Sequence, residues 1–193
     1  NISDRLFKAE EWVKRGFNVF LLDYRGYGQS EGTIQCEDDL YRDGEAGLVW
    51  LVQEKKISPA DIILYGESVG AAPAIQLAAN QNFRTLILES PFSSLTDLAK
   101  KHYPFVPPVF LNRFQFNNIE KIPRVKTPVF ILHGEEDEIC PIEMGKELFQ
   151  SAHDPKDFFS VSGGQHNNLP VIAGSRFYDR PLQFALKEGG KTS

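Results

Sequence analysis

The sequence from Asp61 to Ala72 reads Asp-Ile-Ile-Leu-Tyr-Gly-Glu-Ser-Val-Gly-Ala-Ala. Its apolar, β-branched first part predicts a strand, and this strand breaks at Gly66-Glu67-Ser68-Val69-Gly70, which has the pattern G-x-S-x-G. Glycines at this spacing allow a turn so tight that the serine lies at its apex, with Oγ exposed above the carboxyl end of the strand. Ser68 is therefore the candidate nucleophile.

Apolar runs that suit strands alternate with helical periodicities on both sides of this stretch. Strands are predicted at Phe17 to Tyr24, Ile62 to Tyr65, Thr85 to Glu89, Pro128 to His133 and Asp157 to Val161. Helices are predicted at Asp4 to Arg15, Glu37 to Lys55, Val69 to Gln81, Ile142 to Ala152 and Arg176 to Lys187. The first strand is almost continuously apolar, so we expect it to be buried on both faces. The alternation predicts an α/β fold in one domain over residues 1–193, with a mostly parallel sheet and helices on both faces.

One long segment departs from this alternation. Between Ser90 and Lys126 five prolines are interleaved with five phenylalanines, at positions 92, 105, 110, 114 and 116. This texture fits neither a strand nor a long helix, and we interpret about 91–127 as a lid-like excursion between two sheet strands, with room for short helices. Its aromatic side chains either line an acyl pocket or simply pack as a lid, and the sequence leaves both open.

Two further polar residues follow predicted strands. Asp137 comes after the strand that ends at His133, and His166 follows the strand that ends at Val161. The carboxyl ends of parallel strands meet at one edge of a sheet, so we expect both side chains near Ser68. A serine hydroxyl needs a base to take its proton, and an imidazole in that role needs a carboxylate on its other nitrogen. Ser68, Asp137 and His166 therefore form a candidate catalytic triad.

Alternatives remain at several of these positions. The orienting acid could also be one of the neighbours of Asp137, namely Glu135, Glu136 or Glu138. Glu67 is either a pocket residue beside the nucleophile or only a turn residue. His133 and His102 are interpreted as structural or exposed, and Cys140 as a small packed thiol.

Composition excludes several other classes of function. The 21 basic and 26 acidic residues give a net charge of −5 without a basic cluster, so a nucleic-acid partner is not expected. The two cysteines, Cys36 and Cys140, lack the spacing of a zinc site or a disulfide framework. The loop after Tyr24 contains Gly26 and Gly28 but has Glu31 where a dinucleotide fingerprint needs its third glycine.

Five segments together resemble the α/β-hydrolase superfamily and, within it, the Bem46-like group, which includes the ABHD13- and ABHD17-type proteins. They are Asp-Tyr-Arg-Gly-Tyr-Gly-Gln-Ser-Glu-Gly at 23–32, Tyr-Gly-Glu-Ser-Val-Gly at 65–70, Glu-Lys-Ile-Pro at 120–123, His-Gly-Glu-Glu-Asp at 133–137 and Gly-Gln-His-Asn at 164–167. The resemblance implies an α/β-hydrolase fold with Ser68 as nucleophile, Asp137 as acid and His166 as base. It also implies that the N–H of Val69 is one oxyanion donor, and it implies no cofactor and no metal.

The chain departs from this group at its beginning. The second oxyanion donor normally lies on a His-Gly type loop after an earlier strand, and no such loop precedes Asn1. We therefore expect the N-terminal strands to be missing, either because the chain is a fragment or because something else, such as a partner chain, completes the sheet. The chain alone is then expected to be poorly active and prone to aggregate. A cytoplasmic location is expected, with membrane association only through a segment that precedes Asn1.

The sequence thus favours a serine hydrolase that cleaves carboxylic esters or thioesters through an acyl-enzyme. The expected partner is an acyl or other small-molecule substrate, and the resemblance makes protein S-deacylation a special case. The alternatives are a hydrolase-like binding protein with little or no turnover and a peptidase of the same fold, because triad chemistry does not choose between ester and amide.

Overall fold

A four-stranded parallel sheet forms the centre of the computed structural model, which describes residues 2–102 and 113–189. The strands are β1 (Ile63–Glu67), β2 (Thr85–Glu89), β3 (Val129–Gly134) and β4 (Lys156–Val161), and they lie in the order β1-β2-β3-β4. All three pairings are parallel. Strands β2 and β3 are buried at every position, as expected for short apolar strands that are covered on both faces.

Eight α-helices surround or flank this sheet in the described part of the chain. They are α1 (Leu6–Lys14), α2 (Glu37–Gln53), α3 (Ala71–Asn80), α4 (Leu95–His102), α5 (Asn118–Lys121), α6 (Ile142–Ser151), α7 (Leu169–Ala173) and α8 (Arg176–Glu188). Short 3-10 helices cover Ile2–Arg5, Pro59–Asp61, Ser68–Gly70 and Ile122–Arg124. The α/β architecture predicted from the sequence is confirmed. Strand β2 has the predicted ends, and the other strands and the helices differ from the predicted bounds by one or a few residues.

The two faces of the sheet carry separate hydrophobic clusters, because successive side chains of a strand point to opposite faces. On one face Leu86, Leu88 and Ile131 pack with residues of α3 and α6. On the other face Ile87 and Phe130 pack with residues of α7 and α8, and Trp12 of α1 adds to that side. Helices therefore cover both faces, as predicted.

The predicted strand from Phe17 to Tyr24 was wrong. This segment has no strand pairing, and Val19 and Phe20 are 38% and 45% exposed, although we expected burial on both faces. It runs between α1 and α2, since the Phe17 ring contacts Trp12 and the Phe20 ring stacks on Trp50. A strand exists only when a neighbour accepts and donates its ladder hydrogen bonds, and no segment among the described residues does so here.

The predicted excursion is described only at its two ends, because residues 103–112 lie outside the described part of the chain. The described ends contain short helices, α4 and α5, where neither a strand nor a long helix was predicted. Phe105 and Phe110 fall among the residues that are not described, so a lid over about 91–127 stays a prediction.

The C-terminal part has one helix more than predicted, and its last helix lies where the sequence predicts it. The short helix α7 follows the His166 loop and was not predicted. Helix α8 continues through Pro181, whose buried ring lies on the same side of the helix as Phe177 and Tyr178. Within residues 2–102 and 113–189, no helix has the length and hydropathy needed to cross a membrane.

The open edge of β1 has a consequence for the isolated chain. Within the described residues β1 pairs with β2 alone, and unpaired edges beside exposed apolar side chains template association. We expect the 193-residue chain to self-associate with rising concentration in sedimentation velocity. Val19→Lys should reduce this association, because it places a charge in the unpaired and partly exposed apolar segment at residues 17–24, whereas Val171→Lys, at an 82% exposed position on the short helix α7, should not. A monomer at all concentrations would contradict the expectation.

Candidate active site

The turn at Ser68 joins β1 to α3 through the 3-10 helix Ser68–Gly70. Ser68 has a φ of 53°, in the left-handed region that residues with a side chain rarely adopt. Gly66 makes the tight turn possible, because a Cβ on it would lie 2.6 Å from the Gly70 carbonyl oxygen and 2.7 Å from the Cα of Ala71. The predicted sharp turn with a serine at its apex is thus present.

The side chains of Ser68, His166 and Asp137 form one chain of hydrogen bonds. His166 Nδ1 lies 2.8 Å from Asp137 Oδ2, and His166 Nε2 lies 3.0 Å from Ser68 Oγ. An ionised carboxylate only accepts, so the Nδ1–H donates to Asp137, and Nε2 is left with a lone pair that accepts the Ser68 hydroxyl. This is the arrangement in which an imidazole can take a proton from a serine.

Asp137 is held in its ionised form by four nitrogen groups. Its Oδ1 accepts from the N–H groups of Ile139 and Cys140, and its Oδ2 accepts from His166 and lies 3.5 Å from His133 Nε2. Burial alone would raise the pKa of Asp137, but the contacts with His133, His166 and the Cys140 N–H outweigh it and hold the pKa well below its usual range. A lowered folded-state pKa means that this carboxylate stabilises the fold at neutral pH, and the contribution is lost only in acid.

The loops that carry Asp137 and His166 touch at two glycines. The N–H of Glu136 donates to the Gly164 carbonyl at 2.8 Å, and a Cβ on Gly134 would lie 2.3 Å from that same oxygen. The close approach fixes the Asp137 loop against the His166 loop. The three alternative acids, Glu135, Glu136 and Glu138, are exposed, whereas Asp137 is buried and hydrogen-bonded to the imidazole.

His133 contributes to the site in a way that the sequence did not indicate. It is fully buried, its Nε2–H donates to the Cys140 carbonyl at 2.6 Å, and it faces the Asp137 carboxylate. A Cβ on Gly145 would lie 2.4 Å from its Nδ1, so the ring sits directly on the backbone of α6. His133 has a structural place, as interpreted from the sequence, and the part that it supports is the loop that carries Asp137. Its position just before a glycine and a glutamate pair gave no signal of this.

The structure also shows the contacts of the other residues for which the sequence left alternatives. Glu67 is neither open to a pocket nor a free turn residue, because Arg5 and Lys8 bind its two carboxylate oxygens. His102 Nε2 hydrogen-bonds the Ile139 carbonyl at the surface. Val69 follows Ser68 in the 3-10 helix, where the first N–H groups of a helix lack intrahelical partners. Its role as oxyanion donor stays a prediction, as does a second donor.

An apolar cluster lies beside the acid loop. Cys140 is a free, buried thiol, as interpreted from the sequence, and burial together with the nearby Asp137 carboxylate raises its pKa to about 12. It packs with Met144 and with Phe92 and Phe116 from the two ends of the excursion, which are 1% and 3% exposed. These two phenylalanines are core residues, so neither lines an open acyl pocket. A groove of about 280 Å³ is lined by residues of α2 and α3 and contains none of the three triad side chains.

The chain is similar in sequence to several known proteins. Residues 8–119 match the family described as "Serine aminopeptidase, S33". An uncharacterized protein of Mycobacterium tuberculosis is 36% identical over 187 residues, which are 95% of this chain and 66% of that protein. Human alpha/beta hydrolase domain-containing protein 17B is 35% identical over 175 residues, which are 89% of this chain and 57% of that protein. The chain spans less than two thirds of the length of these curated relatives.

Solved structures support the fold. An esterase of Pyrococcus furiosus superposes with a TM-score of 0.77 at 21% identity, over 95% of this chain and 76% of that one. A monoacylglycerol lipase of Paleococcus ferrophilus superposes with a TM-score of 0.70 at 17% identity, over 93% of this chain and 87% of that one. At these identities the likeness shows the fold alone.

The two glycines of the serine turn should respond differently to alanine. Gly66→Ala places a methyl group against backbone atoms that cannot move independently, and overpacking of this kind costs about 1–3 kcal/mol. At Gly70, which has a φ of −64°, a Cβ meets no atom within 4 Å, so Gly70→Ala should leave stability unchanged or slightly higher. Chemical denaturation of both variants checks this, and equal losses of stability would contradict it.

Replacement of the acid tests which carboxylate orients His166. Asp137→Asn keeps the size of the side chain but presents the imidazole with an amide, and the loss of the correct tautomer should lower kcat by about 10⁴-fold. Glu136→Gln changes the same charge on an exposed neighbour and should leave kcat within about twofold, since surface charges contribute little. Steady-state hydrolysis of an aryl ester by both variants measures the difference. A larger effect at Glu136 would transfer the role to that residue.

Proposed function

Because the chain belongs to the serine aminopeptidase S33 family and has the α/β-hydrolase fold, we propose that it is a serine hydrolase that cleaves carboxylic esters or thioesters through an acyl-enzyme. Membership of this family supports hydrolysis as the activity. The finer assignment rests on one observation, the continuous hydrogen bonding from Ser68 Oγ through His166 to Asp137.

The first half of the reaction follows from this geometry. His166 Nε2 takes the Ser68 proton as Oγ attacks the acyl carbon, and the imidazolium that forms is stabilised by the Asp137 carboxylate on Nδ1. The proton then passes from Nε2 to the leaving oxygen or sulfur, and the alcohol or thiol departs. The acyl group remains bonded to Ser68 Oγ.

The second half uses the same residues on water. His166, neutral again, takes a proton from a water molecule that attacks the acyl carbon, and the proton returns to Ser68 Oγ as the acid is released. In both halves the carbonyl oxygen becomes negative, and the N–H of Val69 is the donor proposed to face it. Preorganised donors at such an oxygen are worth about 10²–10³-fold in rate each.

The proposed substrate is an acyl ester or thioester. Esterase and lipase folds superpose on this chain, and human alpha/beta hydrolase domain-containing protein 17B is among its relatives, which supports an acyl substrate in general terms. The sequence of the excursion, in which phenylalanines and prolines recur between residues 91 and 116, is the reason for proposing a medium or long acyl chain. Protein S-deacylation is the special case in which the leaving group is a cysteine thiol.

A peptidase is the second candidate, and the family description supports it. An amide needs the same attack and the same tetrahedral intermediate, so the triad geometry does not separate the two. A hydrolase-like binding protein without turnover is the remaining rival, and the open edge of β1 is the feature that favours it.

A fluorophosphonate probe separates the enzyme from the binding protein, because it reacts only with an activated serine. In the full-length protein we expect labelling of the peptide that contains Ser68. Ser68→Ala should abolish the label, and Ser175→Ala, which removes a serine hydroxyl at the start of α8, should not change it. No labelling of the folded wild-type protein would overturn the proposed function.

Matched substrates separate the bond types. We compare oxygen esters, thioesters and aminoacyl anilides that carry the same acyl group. Both kinds of ester should have a higher kcat/KM than the anilide. The acyl chain is then lengthened from acetate in steps of two carbons, and each buried CH₂ is worth about 0.8 kcal/mol in an apolar site. A preference for anilides would favour the peptidase, and activity confined to acetate would exclude a long acyl pocket.

A further inference from the structure

A second cluster of charged side chains lies at the carboxyl ends of β1 and β2, outside the triad. Lys8 Nζ lies 2.7 Å from Glu67 Oε2 and 2.6 Å from Glu89 Oε2. Glu67 and Glu89 are register partners on the two strands. Each is followed by a serine with a positive φ, Ser68 at 53° and Ser90 at 46°.

This cluster is withdrawn from water. The side chains of Lys8, Glu67 and Glu89 are 9%, 10% and 1% exposed. Arg5 binds the second oxygen of Glu67 at 2.8 Å, and the hydroxyl of Tyr65 donates to Glu89 Oε2. Two buried carboxylates on neighbouring strands repel each other strongly unless a cation lies between them, and Lys8 is that cation.

The groups around Glu89 have opposite effects on its pKa. Burial raises the pKa of Glu89, the Lys8 ammonium lowers it, and the Glu67 carboxylate raises it again. Burial also raises the pKa of Tyr65, whose hydroxyl therefore stays protonated and available as a donor. Without Lys8, the buried Glu89 carboxylate would lose this ion pair and would repel Glu67, the residue before the nucleophile, although Arg5 would still bind Glu67.

The cluster bears directly on the serine turn. Glu67 is bonded to Ser68 in the chain, and both of its carboxylate oxygens are held from the N-terminal part of the chain, by Arg5 and by Lys8 of α1. A left-handed φ at a residue with a side chain costs about 1–3 kcal/mol and persists only where the surroundings determine it from several sides. Gly66 supplies one of these constraints, and the fixed Glu67 side chain supplies another.

We propose that Lys8 is a positioning residue for the nucleophile: it clamps the Glu67 and Glu89 carboxylates so that the turn keeps Ser68 Oγ at His166 Nε2. The inference rests on the proposed function, because it assigns a role in the reaction of Ser68. Lys8 touches neither the substrate nor the reacting atoms. Loss of Lys8 should therefore lower kcat and the reactivity of Ser68, and it should change KM little.

Lys8→Met tests the clamp in the full-length protein, because methionine keeps most of the length and the apolar stem of lysine and removes the charge. We expect kcat for the aryl ester to fall by about 100-fold, the effect of a displacement of about 1 Å at a reacting group, while KM changes by less than about threefold. The rate of fluorophosphonate labelling should fall in parallel with kcat. Lys14→Met is the matched control on the same helix, at a 65% exposed side chain, and should retain wild-type kcat.

A double variant separates the clamp from simple packing. Lys8→Met with Glu89→Gln removes the cation together with one buried charge, so the repulsion disappears and kcat should recover at least tenfold from that of Lys8→Met. A packing role for the lysine stem would give no recovery, because the glutamine restores none of the contacts that the stem made. Equal kcat values for the single and double variants would overturn the proposal.

The remaining outcomes are also decisive. Wild-type kcat and labelling in folded Lys8→Met would remove the inference and leave the proposed function intact. An unlabelled wild-type protein would remove both. If Lys8→Met yields no folded protein by circular dichroism, Glu67→Gln carries the test. It weakens the clamp at the residue beside Ser68 with no change in size, and an unchanged kcat in that variant overturns the proposal.

Discussion

The contact between Gly66 and the start of α3 is the constraint on which the site depends. The strand and the helix approach so closely that no Cβ fits at this position, and the chain must turn within one residue, which is Ser68. The serine accepts an unfavourable backbone conformation as a result. At the carboxyl edge of the sheet, the hydroxyl that this turn presents lies 3.0 Å from Nε2 of the His166 imidazole.

The sheet register delivers the partners of that hydroxyl. Gly134 at the end of β3 is paired with Val161 at the end of β4, so the acid loop and the base loop begin side by side. The Glu136 N–H then joins them at the Gly164 carbonyl. Asp137 is buried at this junction, and its carboxylate stays charged because N–H groups from two loops and one strand surround it. Backbone hydrogen bonds thus position the acid, and the acid positions the base.

The sequence predicts those parts of the fold and the site in which a local pattern of residues is itself enough to specify the structure. Thr85 to Glu89 was predicted with the observed ends, because a buried parallel strand is a short apolar run with polar flanks. Ser68, Asp137 and His166 were found from motif and order, and the structure brings all three within hydrogen-bond distance. Their roles in a reaction remain our proposal.

The sequence was uninformative where a residue acts through a distant neighbour. Phe17 to Tyr24 has the composition of a strand, but composition does not reveal whether a pairing partner is present. Lys8 lies on a short helix whose apolar Leu6, Phe7 and Val13 are exposed, whereas the lysine itself is buried. The ion pairs of Lys8 with residues 59 and 81 positions away decide that orientation, and periodicity within nine residues cannot encode them.

Hydrogen bonds join the two described ends of the excursion, and this has an evolutionary consequence. The N–H of Leu95 donates to the Gln115 carbonyl, Asn118 binds the Phe92 carbonyl, and the Glu37 carboxylate of α2 accepts from the N–H groups of Gln115 and Phe116. Closure at these points costs entropy that grows only slowly with the length of chain enclosed. Insertions and replacements between the two tied ends are therefore tolerated by the sheet. A lineage can diversify what lies there while the serine, the imidazole and their supports stay fixed.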